Sequence, residues 1–78
     1  MDNVNDIIDM LKDLLADATR KTNRIKEDVY EKEISRYSFS ELVEAESLED
    51  QARNILYMIT GKVLYWLEVD ERFIEVMD

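Results

Sequence analysis

Thr60-Gly61-Lys62-Val63-Leu64-Tyr65-Trp66-Leu67-Glu68-Val69-Asp70-Glu71-Arg72-Phe73-Ile74-Glu75-Val76-Met77 is the stretch that decides the fold of this chain. Read as helix, it prolongs an apolar stripe that begins at Leu48, Ala52, Ile55 and Ile59 and runs on through Val63, Trp66, Phe73 and Met77. Read as strand, Val63 to Val69 is the rival, rich in β-branched and aromatic residues. Three features favour the helix: these residues do not alternate polar and apolar, no Asn-Gly or similar turn flanks them, and no second strand is evident to pair with them. The sequence therefore predicts a helix over 48–77 that can kink at Thr60-Gly61.

Working outward, Val4, Ile8, Leu11, Leu15, Ala18, Thr22, Ile25 and Val29 recur in steps of four and three, with Ile7 and Leu14 widening the stripe. This predicts a long amphipathic helix. At about 100° per residue, Asp2, Asp6, Asp9, Asp13 and Asp17 share the opposite face, and Arg20 and Arg24 take it over beyond them. The seam fails after Val29, where Tyr30, Ile34 and Tyr37 start a rotated stripe, so the helix bends or ends by Tyr37. Ser38 followed by Glu41 has the form of a capping box and marks a new helix start. Run straight on, that helix would set Phe39, Leu42 and Val43 opposite the Leu48–Trp66 stripe, which predicts a short helix over 39–45 and a break before Ser47.

The expectation is thus an all-α chain of two long amphipathic helices and one short helix, a single small helical domain over 1–78. Leu56, Leu67 and Ile74 on one side of the last stripe, and Met58, Tyr65, Val69 and Val76 on the other, make it too wide for one neighbour. A chain of 78 residues buries little core, and with no Cys it has no disulfide to add. Both points lead to a helical bundle completed as a homodimer, with Met58, Tyr65, Val69 and Val76 as the apolar interface. Trp66, flanked by Phe73 and Met77, is read as a core anchor, and Tyr57 and Tyr65 as residues suited to a protein interface.

Composition narrows the chemistry. The chain has no His, no Cys, no Pro and one Gly, which excludes Ser-His and Cys-His nucleophiles, thiol redox centres, Cys/His zinc sites and glycine-rich phosphate loops. Its acidic amino terminus is unlike a secretory signal, and its longest apolar run, Val63-Leu64-Tyr65-Trp66-Leu67, is far short of a membrane span. A cytoplasmic setting with no cofactor is expected. With 19 acidic against 10 basic residues, direct binding to nucleic acid or to an anionic membrane surface is not expected.

The acidic residues suggest two further readings. Glu41, Glu44, Glu46, Glu49 and Asp50 give the stretch from Tyr37 to Ala52 a charge of −5 with no base. Such a surface is either a solvated face or one that binds a basic groove, on a partner protein or on a DNA- or RNA-binding protein whose phosphate track it imitates. In addition, Glu41-Leu-Val-Glu44 and Glu68-Val-Asp-Glu71 loosely resemble the paired acidic motifs of the all-helical MazG-type nucleotide pyrophosphohydrolases, although Glu71 stands where that pattern has Asp. The resemblance implies magnesium held between facing helices by these four carboxylates. The leading expectation is non-enzymatic: a small acidic protein acting by protein–protein interaction, as a regulator, inhibitor or assembly subunit.

Overall fold

The acidic, periodic N-terminal stretch forms α1, Val4–Glu31. A computed structural model of the chain describes residues 3–31 and 37–76. Asn3 caps α1, its Oδ1 accepting from the Asp6 N–H at 3.0 Å, so one of the first-turn amides that the helix cannot satisfy itself is bonded. The predicted seam is the buried one: Leu11, Leu15, Ala18, Thr22 and Ile25 all face inward. The segment after Glu31 in which the helix is expected to bend or end by Tyr37, residues 32–36, lies outside the described residues, as do Asp2 and Met77.

Ser38 starts α2, Phe39–Thr60, through a complete capping box. Its Oγ accepts from the Glu41 N–H at 3.2 Å and the Glu41 carboxylate accepts from the Ser38 N–H at 2.9 Å. The predicted break before Ser47 is not formed. Phe39 and Val43 do point outward, 63% and 51% exposed, but Leu42 and Ala45 bury against Ile25 and hold the first turns in line. Ser47 sits mid-helix with its hydroxyl accepting from Gln51 Nε2.

The larger correction concerns Gly61. This sole glycine has φ 73 and ψ 11, the left-handed conformation that ends helices, and its N–H bonds back to the Tyr57 carbonyl at 2.8 Å. Thr60 reinforces the exit, its hydroxyl donating to the Leu56 carbonyl and accepting from the Lys62 N–H. The chain then forms a hairpin of β1, Val63–Leu67, and β2, Arg72–Val76, paired antiparallel with Tyr65 opposite Ile74 and Trp66 opposite Phe73. Its turn is closed by Glu71 N–H to Glu68 C=O, with Glu71 at φ 49 in the role that Asn or Gly usually takes. The predicted all-α bundle of two long helices and a short one is therefore overturned: two helices carry a two-stranded sheet, and there is no helix over 48–77 to form the expected interface.

Alternation along the strands puts Leu64, Trp66, Phe73 and Glu75 on the sheet face turned to the helices, and Val63, Tyr65, Leu67, Arg72, Ile74 and Val76 on the outer face. Leu64 joins Leu11, Leu15, Ala52 and Leu56 in one core, against which Ile8 and Phe73 pack; Ile25, Leu42 and Ala45 form a second core at the other end of the helix pair. Trp66 packs edge-on to Phe73 at 4.8 Å between ring centres, so the expected partnership of these rings holds across strands instead of along a helix.

Three helix cations lie over the three rings of the hairpin: Lys12 over Phe73 at 5.8 Å, Arg20 over Trp66 at 5.2 Å and Arg53 over Tyr65 at 3.9 Å. Arg53 does most, since its Nε also donates to the Leu64 carbonyl at 2.8 Å and its Nη1 to Asp50 at 3.0 Å. Lysine cannot supply that fork, so Arg53→Lys is expected to lower stability by about 1–2 kcal/mol in denaturant titration. Leu56→Ala, which empties the centre of the first core, is expected to cost about 2–5 kcal/mol, whereas Val69→Ala at the exposed hairpin turn is expected to stay within about 0.5 kcal/mol.

Candidate functional site

Each layer of the molecule has one apolar face covered by the other layer and a second that is more open, although Arg53 of α2 reaches over Tyr65 on the outer face of the hairpin. On the helical layer, the open face is a groove of about 310 Å³ between α1 and α2, lined chiefly by Leu11, Leu14 and Ala18 from α1 and by Leu48, Ala52 and Ile55 from α2. Leu14, Leu48 and Ile55 are 52%, 53% and 40% exposed. They belong to the stripes that define each helix, yet they lie on the side away from the hairpin. Ile7, Met10 and Ile59 are exposed as well.

On the hairpin, the outer face presents Val63, Tyr65, Leu67, Ile74 and Val76. Two of the expected interface residues, Tyr65 and Val76, are brought together here. Val69 stands apart at the turn, 97% exposed, and Met58 is on α2, so the four do not form the single helix edge expected of them. Tyr57 joins Tyr65 in a shallow hollow with Val63, Arg53, Asn54 and Asp50. Ile74 and Leu67 were read as the opposite flank of a helix; strand alternation moves them onto the same face as Tyr65.

The acidic candidates do not converge. Glu41 is bound to its own helix N-terminus, Glu46 pairs with Lys26 at 3.4 Å and Asp50 pairs with Arg53. At about 100° per residue along α2, Glu41 and Glu44 point to one side of the helix and Glu46 and Asp50 to another, with Glu49 between. The continuous acidic track is on α1 instead, where Asp6, Asp9, Asp13 and Asp17 are all exposed. The helical Glu-x-x-Glu arrangement is not formed either: Glu68 and Glu71 lie in the hairpin turn, and Glu68 accepts from Asn23 Nδ2 at 3.1 Å. Among the described residues, no group of three or more acidic side chains comes close enough to hold a metal ion.

A third concavity, about 630 Å³, opens between α1 and the hairpin turn and is lined by Thr19, Asn23, Trp66, Leu67, Glu68, Val69 and Asp70. Two polar atoms beside it, Thr19 Oγ1 and Trp66 Nε1, are buried without a hydrogen-bond partner among the described residues. An unpartnered buried hydroxyl costs more than an apolar group of the same shape. Thr19→Val is accordingly expected to raise the thermal midpoint, by the equivalent of about 1 kcal/mol, when the two proteins are compared by calorimetry.

No helix among the described residues is long and apolar enough to cross a membrane. Compared with known protein families, with curated proteins and with solved structures, the chain matches none of them, so its function has to be read from its own surfaces.

Proposed function

We propose that the protein works without catalysis, by binding another protein through the outer face and free edge of its hairpin, as a regulator, inhibitor or assembly subunit in the cytoplasm. The observation that carries this reading is the position of β2. Among the described residues it has β1 on one side and no element along the other, while its outward side chains, with those of β1, are mostly apolar. An edge of this kind offers a row of unpaired N–H and C=O groups to an extended segment. By contrast, the β1 edge is occupied, since Arg53 takes the Leu64 carbonyl. Tyr65 in β1 and Tyr57 beside it on α2 are amphipathic rings of the type enriched where proteins meet.

The test is affinity capture of the tagged full-length chain from lysate of its source cell, with nuclease present and elution in rising salt. A partner retained through high salt, lost with Ile74→Lys and kept when Glu41, Glu44, Glu46 and Glu49 become Gln is the expected result, with circular dichroism confirming that the variants fold. Release of a nucleic-acid-handling partner at modest salt, abolished by the Gln substitutions or by neutralising the α1 aspartates, would favour phosphate mimicry. Mg²⁺-dependent hydrolysis of a nucleoside triphosphate that stops with Glu44→Gln would overturn the non-catalytic reading.

A further inference from the structure

We infer that the groove on the helical layer is the seat of a second copy of this chain, bound with its α1 antiparallel to the first. This surface lies on the far side of the helices from the hairpin, and the inference does not depend on what the hairpin binds.

Two independent features of α1 point to this occupant. The first is the groove itself, whose apolar floor of Leu14, Leu48 and Ile55 is open. The second is a separation of charge along its rim. From Asp6 to Asp17 α1 carries four aspartates and one base, Lys12; from Arg20 to Lys26 it carries Arg20, Lys21, Arg24 and Lys26 and no acid. Asp17 and Lys21 line the groove, and at about 100° per residue Asp6, Arg24 and Asp13 lie within about 40° of Asp17 around α1, on its solvent side.

Most of the internal pairing leaves these rim charges free. Arg20 is held by Asp17 at 2.8 Å and Lys26 by Glu46, whereas Lys21 and Arg24, like Asp6 and Asp13, make no ion pair among the described residues. A helix with acid at one end and base at the other complements a copy of itself only when the copy runs the opposite way. Asp6 and Arg24 stand nine residues to either side of Leu15, so a two-fold axis beside the middle of α1 sets Asp6 of each copy against Arg24 of the other. The same operation sets Leu14 near its counterpart, at the centre of the apolar floor. The one like-charged approach it produces, Asp13 toward Asp17 of the copy, is softened because Asp17 already carries Arg20. Each chain bears −9 overall, so the copies repel at long range, and the local pairing together with the buried groove must outweigh that repulsion.

Sedimentation velocity of the purified full chain over micromolar to high micromolar concentration tests the inference, with circular dichroism to establish that each variant folds. Wild type is expected as a dimer. Leu14→Asp, at an exposed position, is expected to weaken it at least about 100-fold by setting a carboxylate in the buried centre. Arg24→Glu, and separately Asp6→Lys, are each expected to be monomeric alone and to form a heterodimer when mixed. A wild type that stays monomeric throughout, a dimer indifferent to Leu14→Asp, or a mixture of the two charge variants that remains monomeric would each overturn the inference. Capture of a partner by the Leu14→Asp monomer, lost with Ile74→Lys, would show that the hairpin reading stands without it.

Discussion

Everything beyond the helix pair depends on how the hairpin is held down. Two strands of five residues are marginal in water by themselves, because so short a ladder orders more backbone than its cross-strand contacts offset. Here the deficit is made up by the helices. Leu64 enters their core, and Lys12, Arg20 and Arg53 each cover an aromatic ring of the sheet. Arg53 is the hinge pin of this attachment, since one guanidinium meets a ring, a backbone carbonyl and a carboxylate. Its side chain is only 13% exposed, which removes much of the solvent screening that weakens surface pairs.

The helical half was legible in the sequence because its signals are local. The seam of α1 follows from periodicity, and the start of α2 from Ser38 and Glu41, whose two hydrogen bonds close within one turn. What misled was apolarity without a stated neighbour. Phe39 and Val43 broke the expected stripe, and the helix ran on because Leu42 and Ala45 sufficed to anchor it. The hairpin hid for a related reason: both of its faces are largely apolar, so the alternation that betrays a half-buried strand is missing, and Glu71 takes the left-handed turn position without the customary Asn or Gly. Gly61 was noticed as a kink, whereas its left-handed φ makes it a stop. The interface residues fared similarly. Tyr65 and Val76 are both exposed, but a strand and not a helix brings them together, and Ile74 joins them only because of that change of period. The groove residues Leu14, Leu48 and Ile55 were legible as apolar and illegible as exposed, since periodicity reports a side chain's angle around an axis and not what lies beyond it.

The resulting molecule has the economy of a two-layer slab, with one shared interior and an open apolar surface on each side. Such surfaces are unusual on a chain that is complete by itself. The charge distribution does not blur them: Lys12, Arg20 and Arg53 stack on the hairpin rings, Lys26 pairs with Glu46, and the unpaired Asp6, Asp13, Lys21 and Arg24 are left on the exposed side of α1. An acid-rich exterior also limits indiscriminate association of those apolar faces.

The order of elements along the chain has a bearing on how quickly the protein reaches this arrangement. α1 packs on α2, α2 on β1 and β1 on β2, so most spatial neighbours are also consecutive in sequence; the contacts that skip elements are those of β1 with α1 and of Phe73 in β2 with the helices. Chains of such low contact order close short loops first and reach the native state without a long search. The helical pair can form as soon as Gly61 has left the synthesising machinery, with the sheet added last as a lid on a surface already prepared. Until the hairpin has emerged, the nonpolar residues on both sides of the helix layer are bare, so the delay between Gly61 and β2 sets how long the nascent protein stays adhesive.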